Sequence, residues 1–174
     1  MSTTSAQTAS AARSQSRGGK YLTFALGREE YGLEILKVRE IIGYMDITAV
    51  PRTPAYVKGV INLRGQVISV IDLRSKFGME KAAKTEQTCI VVVEITQGGR
   101  RLSIGIVVDR VSEVLDIAGE KIEDAPTFGT AVDTDFILGM GKIGDAVKIL
   151  LDIDRVLSAE DVAALVSVPE PNQN

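Results

Sequence analysis

The 174-residue sequence has no histidine, no tryptophan and one cysteine, Cys89. Without imidazole there is no Ser-His-Asp or Cys-His nucleophile, no histidine-held haem and no zinc site that needs a histidine ligand. One cysteine excludes a disulfide framework and a cysteine-rich metal site. Aromatic residues are scarce, at four Phe and four Tyr. No apolar run approaches the ~20 residues needed to span a bilayer as a helix. What is abundant is β-branched: 17 Ile and 19 Val stand against 13 Leu, which favours strands over helices. The composition points to a β-rich protein that binds rather than catalyses, and the length allows one ordinary domain or two very small ones.

The formal net charge is -3. Residues 1–20 carry three bases and no acid, so the other 154 residues stand at -6. An acidic body opposes non-specific nucleic-acid binding, which needs clustered Lys and Arg. The first stretch lacks an apolar secretory core and reads as a solvated, disordered tail over residues 1–19. Direct membrane insertion is not expected, and the location expected is the cytoplasm.

Four strand-turn-strand patterns follow. They run Tyr21–Leu26 with Tyr31–Leu36, Val57–Leu63 with Gln66–Leu73, Ile90–Thr96 with Arg101–Val108, and Phe136–Ile143 with Ala146–Ile153. Each turn carries glycine. Lys37–Ile42 and Arg110–Leu115 space their apolar residues at three and four, as one or two helical turns would. Ser158 is a candidate N-cap for a last helix over about 159–166, with Pro169 and Pro171 beyond it. Residues 167–174 read as a flexible tail.

The halves repeat each other. An offset of 80 lays Tyr56–Gly59 over Phe136–Gly139, Val67 over Val147, Val70 over Leu150 and Asp72 over Asp152. An offset of 73 lays Gly32 over Gly105, Val38 over Val111, Glu40 over Glu113 and Ile41 over Val114. Such a duplication, at ~75 residues per unit, predicts two similar five-stranded β-barrels rather than a solenoid. The expected ranges are about 20–84 and about 85–157, with exchange of strands between the barrels left open.

Candidate sites are few. Gly139-Met-Gly-Lys-Ile-Gly144 matches a dinucleotide fingerprint, but a strand follows it where a helix N-terminus is required. Asp109, Asp116, Asp133, Asp135, Asp152 and Asp154 are the remaining acid-base or metal candidates, and solvation at strand ends explains them better. Arg64 sits at a hairpin tip where the other repeat has Gly144, so the fold itself does not demand arginine. Glu40 is a plausible ion-pair partner. Two readings stand for Arg64: a functional group, or an exposed arginine contributing little. Val38, Ile41 and Ile42 form an apolar stripe that belongs either to the core or to a groove able to take a partner helix. Phe128, in a Pro-containing loop, either covers a barrel end or is an exposed anchor.

Five runs carry a resemblance. They are Ala25–Ile35, Lys37–Ile41, Pro54–Gly65 with its Asn62-Leu-Arg-Gly hairpin, Val70–Arg74 and Gly105–Asp109. Over about Lys20 to Val166 the chain resembles the CheW family of bacterial chemotaxis coupling proteins. The resemblance implies two tandem SH3-like barrels with short helices and a C-terminal helix. It further implies a non-enzymatic adaptor without cofactor or metal, monomeric alone. Such an adaptor links methyl-accepting chemoreceptor tips to the regulatory domain of the histidine kinase CheA, at the inner face of the membrane. By matching position, Val38, Glu40, Ile41, Gly59 and Arg64 fall in the receptor-binding region, with Glu40 and Arg64 as the family's acid–arginine pair. Glu123, Thr127 and Phe128 fall at the kinase contact. There this chain departs from the family pattern, with Thr127 where an acid is common and Glu123-Asp124 where Arg-Pro occurs. Met1 and Asn174 bound a chain with no kinase motifs and no room for a receiver domain, so a freestanding adaptor is expected. The alternative is a tandem small-barrel module that binds peptide or oligonucleotide outside chemotaxis.

Overall fold

The computed structural model describes residues 17–97, 99–126, 135–157 and 161. Eleven strands are found among them: β1 Gly19–Leu26, β2 Glu29–Glu34, β3 Val38–Gly43, β4 Val57–Leu63, β5 Gln66–Asp72, β6 Cys89–Gln97, β7 Arg100–Val108, β8 Arg110–Ile117, β9 Ile122–Glu123, β10 Ile137–Ile143 and β11 Ala146–Leu151. Two one-turn helices, α1 Leu73–Lys76 and α2 Ile153–Val156, follow β5 and β11. All four expected hairpins form, as β1–β2, β4–β5, β6–β7 and β10–β11.

The two segments expected as short helices are strands. Val38–Gly43 pairs antiparallel with β6, and Arg110–Ile117 with β1. Only Ile35–Lys37 keeps a helical turn, a 3-10 turn ahead of β3. Each strand carries a bulge opposite its partner, at Val38/Glu40 and at Leu22/Phe24. A bulge shifts side-chain phase by one residue, so the apolar positions imitate helical spacing while the β-branched side chains pair as strands. At the second bulge the buried Thr23 hydroxyl donates to the Glu113 carbonyl at 2.8 Å and accepts the Glu113 N–H at 3.1 Å.

The sheets cut across the boundary expected near residue 84. One has the order β8-β1-β2-β11-β10-β9, the other β3-β6-β7-β5-β4. Each half therefore lends its first hairpin to the other half's barrel. The joins are parallel: β2 lies on β11 with Gly32 opposite Leu150, and β7 lies on β5 with Gly105 opposite Val70. These pairs are related by the two offsets of the repeat. A Cβ at Gly32 would stand 2.7 Å from Leu150 Cδ2, and one at Gly105 2.8 Å from Ile90 Cγ2. Both glycines are required by close approach.

Three apolar clusters follow from strand alternation. Val91, Val93, Ile95, Ile104 and Ile106 of one sheet meet Leu22, Phe24, Leu26 and Leu151 of the other between the barrels. Alternate residues fill the barrels, with Ile68, Val70, Ile90 and Val92 in one and Tyr21, Ile117, Ile122 and Leu150 in the other. Burying Leu- or Ile-sized side chains contributes about 1.5–3 kcal/mol each, so the seam holds as much of the stability as either interior.

Two ion pairs pin the places where the chain crosses between barrels. Asp109, between β7 and β8, takes a bidentate bond from Arg74 of α1 at 2.9 and 2.6 Å and the Gly27 N–H at 2.7 Å. Lys37, between β2 and β3, donates to Asp154 of α2 at 2.7 Å, and Asp154 also accepts the Thr96 N–H at 2.8 Å. Asp154 lies 80 residues after Arg74, so the second lock repeats the first with acid and base interchanged. Asp72 and Asp152 cap α1 and α2, accepting the N–H of Arg74 at 3.0 Å and of Asp154 at 3.2 Å. Capping, rather than simple solvation, explains that repeated pair.

At the N-terminal edge, Arg17 and the start of β1 at Gly19 lie within the expected tail of residues 1–19, yet both are part of the fold. The expected C-terminal helix falls outside the described residues except for Asp161, which is helical, accepts the Tyr56 hydroxyl at 2.5 Å and pairs with Lys76 at 2.6 Å.

The Arg74 guanidinium holds the Asp109 carboxyl below its ordinary range. A group whose folded pKa is depressed adds stability above its unfolded pKa and loses it as pH falls through the folded value. Asp109→Asn should therefore cost about 2 kcal/mol at neutral pH. Its melting temperature should also fall less steeply than the native protein's below about pH 4. Thermal melts across acid pH check both.

Candidate functional site

The β4–β5 turn is built from Asn62-Leu63-Arg64-Gly65. Arg64 has φ 51° and Gly65 φ 84°. Left-handed backbone at both central positions is the geometry of a tight type I′ hairpin turn. The Asn62 side chain holds it by accepting the Gly65 N–H at 2.9 Å. Gly144 takes the place of Arg64 in the other repeat, with φ 59°. A non-glycine residue in this region costs about 1 kcal/mol, so Arg64 is retained against a local preference.

The Arg64 guanidinium meets the Glu40 carboxylate of β3. The bond joins the two edge strands of its sheet, β3 and the β4–β5 turn, across the barrel end. Arg64 is 71% exposed and Glu40 28% exposed. An exposed pair of this kind contributes about 0–1 kcal/mol, so it adds little to the stability of the fold. Beside it an open cleft of about 570 Å³ is lined by Arg39, Gln66, Glu94, Arg101 and Ser103. Arg39 donates to Ser103 at 2.8 Å, and Arg101 faces Glu94 at 3.6 Å.

Val38 and Ile41 lie on the same strand as Glu40 but face the seam. Their cross-strand partners, Val93 and Val91, belong to the inter-barrel cluster. Val38 is half-buried against that cluster, whereas Ile41 is 45% exposed at its rim. The pseudo-equivalent rim carries Val111 opposite Phe24 and Val114 opposite Leu22, with Val114 49% exposed. The seam thus has an apolar lip on each side.

Gly59 has φ 145° at the bulge where β4 shifts register against β5. A Cβ there would lie 2.0 Å from the Thr48 carbonyl oxygen. Thr48 and Val60 exchange both backbone hydrogen bonds at 2.9 Å, closing the barrel. Gly59 therefore serves the fold.

In the other barrel, Glu123 is exposed on β9, pairs with Met140 of β10 and bonds Lys142 at 2.8 Å. Thr127, Phe128 and Asp133 lie outside the described residues. The glycine string Gly139–Gly144 forms β10 and its turn into β11, not a strand-to-helix phosphate loop. Among the described residues no group of three or more His, Cys, Asp or Glu is placed to hold a metal ion, and no helix is long and apolar enough to cross a membrane. Burial pushes the Cys89 thiol up, away from the reactive thiolate.

Sequence reasoning brought together Glu40 and Arg64 and placed Ile41 beside them. It did not find the Arg74–Asp109 and Lys37–Asp154 locks, whose partners lie 35 and 117 residues apart. It also missed Arg17, whose side chain bonds Asp124 at 2.8 Å.

A family model described as CheW-like domain matches residues 20–161. Chemotaxis protein CheW of Klebsiella aerogenes is 43% identical over 151 residues, covering 87% of this chain and 89% of that protein. Probable chemotaxis protein CheW of Rhizobium etli is 34% identical over 155 residues, covering 88% and 97%. The crystal structure of scaffolding protein TtCheW from Thermoanaerobacter tengcongensis is similar with a TM-score of 0.72 at 37% identity, covering 83% of this chain and 95% of that one.

The site separates fold from function by substitution. Gly59→Ala should cost about 3 kcal/mol or more, because it adds a collision to an unfavourable φ. Arg64→Ala should change stability by no more than about 1 kcal/mol. Arg64→Gly should leave it about unchanged, relief of backbone strain offsetting added chain entropy. Urea unfolding of the three variants checks the order.

Proposed function

The chain belongs to the CheW-like family of chemotaxis scaffolds, which are adaptors and not enzymes, and from that premise we propose that it couples chemoreceptor cytoplasmic tips to the histidine kinase CheA. The observation that carries the reading is the exposed Arg64–Glu40 pair. It is held in a strained turn at little gain in stability, next to the apolar lip of Val38 and Ile41. A receptor tip is helical and amphipathic, so its apolar stripe can lie along Ile41 while its polar face meets Arg64. Gly59 enters this region indirectly, by keeping β4 and the Thr48 strand closed beneath the turn. The kinase contact is assigned to Glu123, Thr127 and Phe128, by their matching position in the family. The adaptor then works at the inner face of the membrane through the receptors, without entering the bilayer. Coupling is mechanical: a receptor change displaces the lip, and the barrel pair carries it to the kinase.

Titration calorimetry with a receptor cytoplasmic fragment and with the full-length kinase tests the separation of sites. Arg64→Ala should weaken receptor binding at least tenfold, as loss of a charge-assisted anchor does, and leave kinase binding unchanged. Phe128→Ala should do the reverse. Loss of both by either variant, or of neither by both, would sink the reading.

A further inference from the structure

We propose that Arg17 is a positioning residue, which pins the exit of β9 and thereby sets how the adjoining kinase-facing stretch is presented. The inference rests on the kinase role proposed for that stretch. Arg17 precedes the first strand, yet its side chain is only 10% exposed. Its Nη1 donates to Asp124 Oδ1 at 2.8 Å and to the Leu138 carbonyl at 3.1 Å, and its Nη2 to the Ile122 carbonyl at 3.4 Å. Its own carbonyl accepts the Tyr21 hydroxyl, which ties it to the barrel from the other side.

These partners are the weak point of that barrel. β9 is two residues long and pairs with β10 only through Ile122 and Glu123. β10 is bulged between Ile137 and Gly139, next to the Leu138 carbonyl that Arg17 takes up. A guanidinium presents a planar fork of donors, so one side chain can cross-link two strand-end carbonyls and a carboxylate. The other barrel closes at the equivalent place through backbone, where Thr48 and Val60 exchange both hydrogen bonds at 2.9 Å. At Gly59 the space a Cβ would fill is taken by the Thr48 backbone, while at the equivalent Gly139 it is taken by the Ile122 side chain and the Glu123 carbonyl oxygen, with Arg17 Nη1 3.3 Å away. From Asp124 the chain has two residues, Ala125 and Pro126, before Thr127. The clamp therefore fixes both the position and the charge of the entry to that stretch, because without Arg17 the exposed Asp124 would lose this cation and add a negative charge beside the Glu123–Lys142 pair.

The test combines hydrogen exchange with kinase and receptor titrations on the full chain. Arg17→Ala should speed exchange about tenfold at the amides of 122–124 and 138–141, leave β3 to β7 unchanged, weaken full-length kinase binding about tenfold and leave receptor binding intact. Arg17→Lys keeps the charge without the fork, and should give intermediate exchange and affinity. Full kinase affinity in Arg17→Lys would mean that charge alone acts, and would overturn the clamp. So would unchanged exchange in Arg17→Ala, or a uniform rise across both barrels with loss of receptor binding as well. If the native chain itself does not bind the kinase, the functional reading fails, and the local exchange result still decides whether Arg17 holds β9.

Discussion

Each half of the chain completes a barrel only by lending its first hairpin to the other, and the two parallel joins where this happens govern the rest of the structure. Parallel strands cannot be joined by a tight turn, so a chain of hairpins can make them only by crossing between sheets. The join at β2–β11 needs Gly32 under Leu150, and the join at β5–β7 needs Gly105 beside Val70. A Cβ at Gly32 would press on Leu150 Cδ2 at 2.7 Å and one at Gly105 on Ile90 Cγ2 at 2.8 Å, so the glycines make room for interior side chains rather than for backbone. The space they leave is taken by the large residues that fill the barrel interiors, Leu150 in one and Val70 with Ile90 in the other.

Exchange has a mechanical consequence. A chain with one barrel per half would be hinged at the linker, and its two barrels would meet as separate bodies. Here the crossovers at Ile35–Lys37 and at Asp109 both run through the seam. Each is held by an ion pair to a one-turn helix, and the acid of each pair also accepts a backbone N–H from the exchanged hairpin. The strands that leave the crossovers are β3 and β8, which carry the exposed lips Ile41 and Val114. A load on β3 therefore meets the Lys37–Asp154 lock within a few residues, and through α2 reaches the other barrel. Rigid transmission of this kind suits an adaptor that has no chemistry of its own.

Much of this was legible in the sequence because hairpins are local. Turn glycines and β-branched runs located β1–β2, β4–β5, β6–β7 and β10–β11, and the two offsets revealed the duplication. The failures were non-local or depended on phase. A single bulge in β3 and another in β8 turned period-two patterns into false helical ones. Strand exchange leaves no trace in either repeat, since each hairpin presents the same faces whichever barrel it joins. Asp109 and Asp154 looked like spare carboxylates because their cations lie on elements that only the exchange brings near. Arg17 sat in a stretch whose polar composition reads as tail, and no periodic signal distinguishes a docked arginine from a solvated one.

The duplication also supplies a control that a single domain lacks. Where the two halves agree, the shared residue answers a demand of the fold: Gly32 with Gly105, Gly59 with Gly139, Asp72 with Asp152. Glu40 and Glu113 agree too, so the acid beside the lip is not by itself diagnostic. Arg64 against Gly144 is where the halves part at an equivalent turn, and they part in the direction that costs backbone energy. Natural chains break a local rule chiefly where something other than stability is selected. The same comparison separates Arg17, which has no equivalent at the Gly59 end, from the glycine it approaches. Arg64 departs from that symmetry against the backbone preference of its turn, and Arg17 by a side-chain cross-link between β9 and β10 where Gly59 meets backbone.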